Sequence, residues 1–178
     1  MKIRDDQLYL DGDGKTVMRP SYCLFMDVLG FSDEMKDAYA EGRGEALFND
    51  FSSFISSLVH HMERVRRGMS SETDREEEFE NRFVGWVQKV FTDNIVIGLP
   101  MRSGETENEF GHILMSVIEF QLKFALRGYF VRGGLDFGDL AMDDSLVFGL
   151  PILEAHRLEC SVAKVPPNCL LGYGEQTR

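Results

Sequence analysis

The stretch CLFMDVLGFSDEM, residues 23 to 35, places Asp27 at the end of an apolar run and Gly30 shortly after it. A short apolar run that a glycine soon follows is typical of a buried strand, here residues 21–28. An unpaired charge at the edge of a core is costly. The stretch therefore predicts a buried strand and a functional role for the charge of Asp27 near its end.

The size of the chain indicates one domain. Its 178 residues, of which 43% are apolar, can fill the core of a single globular unit over residues 1–178. Residues 1–20 are polar around the sequence DGDGKT, which predicts an N-terminal turn or hairpin appended to that unit.

The charge and the cysteines exclude several classes of partner. A formal charge of −11 disfavours nucleic acid and anionic membranes, because both are negatively charged. Cys23, Cys160 and Cys169 are odd in number and lack CxxC spacing, and no apolar segment resembles a membrane span or a signal peptide. We therefore expect a reduced, cytoplasmic protein that binds neither nucleic acid nor membranes.

The rest of the chain alternates helical and strand patterns. Apolar residues at three- and four-residue spacings predict a long amphipathic helix over 45–69. The further predicted elements are a solvated acidic segment 70–82, a hairpin 83–100 centred on Thr92-Asp93-Asn94, a helix that a Thr106/Glu109 capping box opens and Gly128 ends, a strand pair over 129–149 about Asp143-Asp144, a helix 151–163 that begins at Pro151, and a strand 168–172. This order suits an α+β fold of ferredoxin-like, palm type, with helices packed on one face of a mainly antiparallel sheet.

Two aspartates are candidates for a shared site. In this topology the first strand and the hairpin are neighbours at the centre of the sheet, so we expect Asp27 to face Asp93. Two carboxylates at close range repel unless a proton or a cation lies between them. Oxygen ligands favour Mg²⁺ or Mn²⁺. Gly30 allows close approach of the backbone, so that amides at a helix start can hold phosphate oxygens.

Each of these residues also has a plainer explanation. An aspartate at a strand end is often a helix cap, and an Asp-Asn pair is common at a hairpin tip. His112 and His156 are isolated in the sequence and are expected to be structural. The prediction of a metal site beside a phosphate cradle therefore depends on the joint pattern.

That joint pattern resembles the class III nucleotidyl cyclases. The resemblance covers roughly residues 20 to 172 and is carried by Asp27-Val28-Leu29-Gly30-Phe31, by Asp93 in FTDNIVIG, by VRGGLDFGDL and by VFGLPILEAHRLE. More narrowly, DVLGFS, FTDNIVI, RGGL followed by Gly138, and VFG leading to RLE, Ala163 and Pro166 are similar to the pyrimidine nucleotide cyclases of bacterial Pycsar anti-phage systems.

The resemblance implies a catalytic metal centre. Asp27, Asp93 and the carbonyl of Val28 would hold two divalent ions, Mg²⁺ or Mn²⁺, in each site. One ion would help to deprotonate the ribose 3′-hydroxyl for attack on the α-phosphorus. The other would offset charge on the leaving pyrophosphate.

It also implies a set of substrate-binding residues. The backbone amides near Gly30, Phe31 and Ser32 would hold the triphosphate. For Arg132 two readings stay open, since it either contacts phosphate or organises the sheet.

Arg157 corresponds to the arginine on the family's late helix. There it would stabilise charge on the phosphoryl oxygens in the transition state, unless it forms a surface salt bridge with Glu154 or Glu159. The resemblance implies a homodimer in which two domains pair head to tail, and each site takes its metals from one subunit and its arginine from the other.

The positions that would read the base favour a pyrimidine. The lysine and aspartate with which adenylate cyclases read adenine fall at Val87 and Leu146, and the glutamate and cysteine of guanylate cyclases are also missing. A slip of one residue would bring Trp86 or Gln88 into the first position. Leu153 stands where the family has a helix asparagine.

We therefore expect a cytoplasmic homodimer that converts UTP, or as second choice CTP, to the 3′,5′-cyclic mononucleotide and pyrophosphate. The product would be a second messenger in bacterial anti-phage defence. Three alternatives stay open. They are a catalytically silent cyclase-like dimer that binds a nucleotide or a protein, which Leu153 favours, a purine cyclase, and a diguanylate-type cyclase, for which FTDN is a poor match to the expected Gly-Gly-acidic-acidic hairpin.

Overall fold

The computed structural model describes residues 8–68, 86–101 and 106–163. Within these ranges it has strands β1 (Arg19–Leu29), β2 (Val87–Phe91), β3 (Asn94–Pro100), β4 (Phe130–Met142) and β5 (Val147–Gly149), and helices α1 (Phe31–Ala40), α2 (Gly44–Gly68), α3 (Thr106–Leu126) and α4 (Leu150–Ser161). The predicted acidic segment 70–82 and the predicted strand 168–172 lie outside the described residues, as do residues 1–7 of the N-terminal appendage.

The strands form one antiparallel sheet in the order β2-β3-β1-β4-β5. Strand β1 lies at the centre and pairs with β4 along its whole length, from Arg19↔Leu140 to Leu29↔Phe130. On its other edge it pairs with β3, from Ser21↔Pro100 to Asp27↔Asn94. The prediction that the first strand and the hairpin are central neighbours is therefore confirmed. The α+β class is confirmed too, and the strand order is compatible with a ferredoxin-like arrangement.

The main core lies on one face of the sheet. Leu24, Met26 and Val28 of β1 point to this face and are buried. The helical residues that cover them come from α1, α2 and α3: Phe31, Phe51, Phe54, Leu58, Ile113, Phe120 and Phe124. Over residues 47–58, the three- and four-residue spacing that predicts the long helix therefore marks the side of α2 that packs into this core.

A second, smaller core lies on the opposite face. Cys23 and Phe25 of β1 point to it and pack with Ala155 of α4 and with Tyr9 from the N-terminal segment. Because α4 covers this face, the expectation that all helices lie on one face is wrong. The apolar residues of β1 are continuous rather than alternating, which is the pattern of a strand that is covered on both sides.

Two glycines of β4 allow α4 to approach the sheet closely. A Cβ atom at Gly134 would overlap the backbone carbonyl oxygen of Ala155, and one at Gly138 would lie 3.0 Å from the ring of Pro151. Larger side chains at these positions would hold the helix away from the strand. The glycines in VRGGLDFGDL therefore fix the distance between α4 and β4.

Several predicted turns are confirmed. Gly128 has a φ of 86° just after α3, which is the left-handed conformation expected of a helix stop. The side chain of Asp143 accepts hydrogen bonds from the amides of Ser145 and Leu146 and so shapes the β4–β5 turn. Near the N-terminus, Asp11 organises the predicted turn by accepting hydrogen bonds from the amides two and four residues later.

We expect Gly134→Ala to destabilise the protein by about 1–3 kcal/mol, because the new methyl group forces α4 away from the sheet. Urea unfolding of the two proteins measures this difference in the free energy of unfolding. Gly12→Ala is the matched control, since a Cβ there has no neighbour within 4 Å. Equal stability of the Gly134→Ala and Gly12→Ala proteins would contradict the role given to Gly134.

Candidate active site

The structure brings Asp27 and Asp93 together at one end of the sheet. Asp27 lies opposite Asn94 in the β1–β3 pairing, and the amide of Val28 donates a 2.8 Å hydrogen bond to the backbone carbonyl of Asp93. Burial is the main cause that raises the pKa of Asp27, and the negative charge of Asp93 adds a smaller contribution in the same direction. The strand pairing therefore brings the backbones of the two aspartates together, and a shared site remains a prediction.

Asp93 sits in the two-residue turn between β2 and β3, where its carboxylate is held by several donors. Thr92, with a φ of 54°, takes the left-handed turn conformation, and its hydroxyl lies 2.9 Å from Asp93 Oδ1. Asn94 Nδ2 donates to the same oxygen at 3.0 Å, and the Ser32 hydroxyl donates to Asp93 Oδ2 at 2.5 Å. The bond from Ser32 ties the start of α1 to the tip of the hairpin.

These bonds determine the protonation of Asp93. Partial burial acts to raise the pKa of Asp93, but hydrogen bonds from Ser32, from Thr92 and from the residue's own backbone amide outweigh it and lower the pKa. Asp93 is therefore held in its charged form, which is the form that a cation needs.

Helix α1 begins beside the two aspartates. Gly30 caps it in the left-handed conformation, with a φ of 79°, and its carbonyl accepts hydrogen bonds from the amides of Asp33 and Glu34. The side chain of Phe31 turns into the main core against Phe51, with 4.2 Å between ring centroids. The backbone amide is therefore the only group of Phe31 that can bind a ligand, and this is the group that the predicted phosphate site uses.

Arg132 is the direct partner of Asp27. It stands opposite Asp27 in the β1–β4 pairing, and its Nε and Nη2 lie 3.2 and 3.1 Å from Asp27 Oδ2. Arg132 Nε also lies 2.5 Å from Oε1 of Glu159 on α4. Its hydrogen is directed at Asp27, so among the described residues Glu159 Oε1 accepts no hydrogen bond. Arg132 thus lies between two carboxylates.

The environment of Asp27 opposes its ionisation. Burial is the main cause that raises the pKa of Asp27, and the charges of Glu159 and Asp93 raise it further. Arg132 acts in the other direction without cancelling them. The charges of Glu159 and Asp93 therefore both act against the ionisation of Asp27, and an additional cation would relieve this repulsion.

The residues fit a divalent metal ion. Asp27 and Asp93 supply oxygen ligands, which Mg²⁺ and Mn²⁺ prefer. A carboxylate has about four acceptor positions, so the hydrogen bonds to these side chains leave positions for a cation. The carbonyl of Val28 is the third expected ligand. The backbone of Val28 lies beside Asp93, because the Val28 amide donates a hydrogen bond to the Asp93 carbonyl.

Arg157 lies apart from these residues in the single chain. It is exposed on α4, and its Nε and Nη2 lie 2.8 and 2.5 Å from the two carboxylate oxygens of Glu154. Within the described part of the chain it forms no ion pair with Asp27 or Asp93. Of the two salt-bridge partners that the sequence suggests, Glu154 is the one observed, and Glu159 pairs with Arg132 instead.

Glu159 is the site residue that the sequence did not identify. Only 3% of its surface is exposed, although an acidic residue in a helix is usually solvated. The spacing of Pro151, Ala155 and Glu159, which form the buried face of α4, was the available signal.

His156, expected to be isolated, lies 3.4 Å from Sγ of Cys160. The thiol of Cys160 donates to Glu159 Oε2, which raises the pKa of Cys160.

Comparison with models of protein families and with curated proteins finds no match to this sequence. Among the helices in the described ranges, none has both the length and the apolar character that crossing a membrane requires. Any function for the site must therefore be inferred from the chemistry of its own residues.

We expect Arg132→Gln to raise the pKa of Asp27 further, because it removes the guanidinium that lowers this pKa. A folded-state pKa above the unfolded one means that stability is lost as the pH rises through the folded value. In the variant this loss should extend to higher pH. A ¹³C NMR titration of the Asp27 carboxyl group measures the shift.

Arg127→Gln is the control for this titration, since Arg127 is exposed and contacts Asp50. That variant should leave the pKa of Asp27 unchanged. An unchanged or lower pKa of Asp27 in the Arg132→Gln protein would show that Arg132 does not stabilise the charged form of Asp27.

Proposed function

We propose that this protein is a nucleotidyl cyclase of the class III type that converts UTP, or failing that CTP, to the 3′,5′-cyclic mononucleotide and pyrophosphate. One observation carries the proposal. Two aspartates, Asp27 and Asp93, lie at the ends of neighbouring central strands beside a helix start that Gly30 caps. This is a set of groups that suits a metal-bound triphosphate.

Asp27, Asp93 and the carbonyl of Val28 are the proposed metal ligands. Mg²⁺ or Mn²⁺ ions bound there would supply activation of the ribose 3′-hydroxyl and charge compensation on the pyrophosphate. Asp93 is held ionised and oriented by its hydrogen bonds before any ion binds. The repulsion between the carboxylates favours the bound state, because a cation removes it.

The start of α1 is the proposed triphosphate site. The first amides of a helix have no acceptor within the helix, and its dipole favours an anion. The amides of Phe31 and Ser32 follow the left-handed Gly30 and are the donors that we assign to phosphate oxygens. The Ser32 hydroxyl is engaged with Asp93, so this residue links the phosphate site to the metal site.

Arg132 is proposed to position Asp27 rather than to bind phosphate. Its guanidinium already contacts Asp27 and Glu159, and these contacts hold it between β1 and α4. Of the two readings that the sequence leaves open, these contacts favour the one in which Arg132 organises the sheet.

The proposal of a pyrimidine base rests on Val87 and Leu146. Val87 is half-buried on β2 and Leu146 is exposed in the β4–β5 turn. Neither side chain can form the hydrogen bonds with which a lysine and an aspartate read adenine. A site that lacks these groups gives no preference for a purine.

The proposed partner is a second copy of the chain. Arg157 is exposed and lies apart from the aspartates of its own chain, so a homodimer with shared sites would supply it from the other subunit. Phe148, Leu150 and Leu153 are large apolar residues at the β5–α4 junction, and all three are more than half exposed. Exposed apolar residues in such a group favour an interface.

The biological role proposed for the product is that of a second messenger in bacterial anti-phage defence.

A catalytically silent, cyclase-like dimer is the second candidate. Leu153 cannot give the transition state the help of an asparagine, and one oxygen of Asp27 is engaged by Arg132. Asp33 and Glu34 also place negative charge in the first turn of α1, where phosphate would bind. These features would suit a protein that binds a nucleotide or another protein without turnover.

We expect the purified protein, incubated with each nucleoside triphosphate and Mn²⁺ or Mg²⁺, to form a 3′,5′-cyclic product from UTP, or failing that from CTP. Mass analysis of the products separates the candidates, and ATP should yield little product. Predominant cyclic AMP would show a purine cyclase, and no cyclic product from any nucleotide would favour the silent dimer.

In the same assay, Asp27→Ala and Asp93→Ala should each lower turnover by at least about 100-fold, since even the outer partners of metal ligands change activity by 10- to 100-fold. Asp50→Ala, a change of an exposed aspartate on α2, should retain activity. Near wild-type turnover of either site variant would reject the metal ligands proposed here.

We expect a mixture of inactive Asp27→Ala and inactive Arg157→Ala proteins to recover about a quarter of wild-type activity after subunit exchange. Random exchange makes about half the dimers mixed, and each mixed dimer has one site with both defects and one with neither. Mixing Asp27→Ala with Asp93→Ala is the control and should stay inactive, because both residues serve the same site of one subunit. If no activity returns after verified exchange, Arg157 does not serve the active site of the other subunit.

A further inference from the structure

Three side chains of α4 with metal-binding atoms lie on one side of the helix. His156, Glu159 and Cys160 stand at helical positions i, i+3 and i+4, which are neighbours on a helix surface. Their nitrogen, oxygen and sulfur atoms all lie within 4.8 Å of one another. His156 Nε2 is 3.4 Å from Cys160 Sγ, and Cys160 Sγ is 3.1 Å from Glu159 Oε2.

The separation of the His156 and Cys160 ligand atoms is close to the one that a tetrahedral ion requires. Zinc binds nitrogen at about 2.0–2.1 Å and sulfur at about 2.3 Å, so the two ligand atoms lie about 3.6 Å apart in a tetrahedral site. The distance between His156 and Cys160 differs from this value by a few tenths of an ångström, which small side-chain rotations can supply. The His156–Cys160 pair therefore needs little rearrangement to hold an ion, and Glu159 lies within 4.8 Å of both ligand atoms.

Packing restricts two of the three side chains. The imidazole of His156 meets the ring of Phe25 edge to face, with 4.9 Å between centroids. Glu159 is buried, with Oε1 beside Arg132 and Oε2 beside Cys160. Since these side chains are already ordered, an ion pays little entropy to gather them.

We propose that His156, Glu159 and Cys160 form a binding site for a borderline-soft divalent transition metal, of which Zn²⁺ is the natural member. The three side chains supply three ligands, and a water or a ligand from another molecule completes the tetrahedron. Sulfur and nitrogen ligands discriminate against Mg²⁺, which prefers oxygen. Its three ligands do not include Asp27 or Asp93, although Glu159 and Asp27 both form ion pairs with Arg132. Metal binding there does not depend on cyclase activity.

Cobalt titration of the full reduced chain tests this site. Co²⁺ occupies zinc sites, and a thiolate ligand gives it a charge-transfer absorption that oxygen ligands do not give. We expect one equivalent of Co²⁺ to produce this band and one equivalent of Zn²⁺ to remove it, whereas excess Mg²⁺ should leave it. Absence of the band in the wild-type protein would overturn the proposal.

Variants identify the ligands. Cys160→Ser should abolish the band, and His156→Ala should weaken Co²⁺ binding by at least about tenfold. Both residues are exposed, and an unchanged circular dichroism spectrum would verify that the variants fold. Cys169→Ser, at a position outside the described residues, is the matched control and should keep the band. A band that survives Cys160→Ser, or that Cys169→Ser removes, would overturn the assignment.

Asp93→Ala separates this site from the proposed catalytic one. The variant removes a carboxylate from the pair of aspartates and should leave the cobalt band unchanged. Loss of the band in this variant would mean that the ion binds at the aspartates, which would overturn the proposal. Because the band reports binding alone, its presence or absence is independent of whether the protein cyclises nucleotides.

Discussion

Strand β1 is hydrogen-bonded on both edges and covered on both faces, and the rest of the structure depends on that double burial. Neighbouring residues of the strand supply different cores, with Leu24 and Met26 facing one and Cys23 and Phe25 facing the other. A charged side chain in the middle of such a strand would be costly. The charge comes instead at Asp27, near the end of β1, where β4 and the β2–β3 turn can supply partners.

Arg132 connects Asp27 to the helix α4 that packs on this face of the sheet. Arg132, on the neighbouring strand, forms ion pairs with Asp27 on β1 and with the buried Glu159 on α4, and its Nε–H is directed at Asp27. Removing one member of such a group leaves a buried charge without compensation, which is strongly destabilising. The same arrangement would separate the two metal sites proposed here. The proposed Mg²⁺ or Mn²⁺ site has the carboxylate oxygens of Asp27 and Asp93, whereas the proposed transition-metal site includes the sulfur of Cys160 and the nitrogen of His156.

Much of the fold follows from local patterns in the sequence. The apolar run before Asp27 specifies a buried strand, the spacing in residues 45–69 specifies α2, and Thr92-Asp93-Asn94 specifies a tight turn. Such features depend on neighbours along the chain, so they can be read without knowing what packs against them. The sequence also indicated a helix start after Gly30, although not that the helix continues to Ala40.

The sequence by itself determined that two aspartates and a glycine-led helix start would meet at the end of a central antiparallel pair. Only the tertiary structure decided which face α4 covers, because that choice depends on Gly134 and Gly138 clearing space for a helix distant in sequence. It also decided that Glu159 is buried beside Arg132 and that His156 meets Cys160. A side chain's partners across a packed interface are set by three-dimensional distances, and a linear pattern does not contain them.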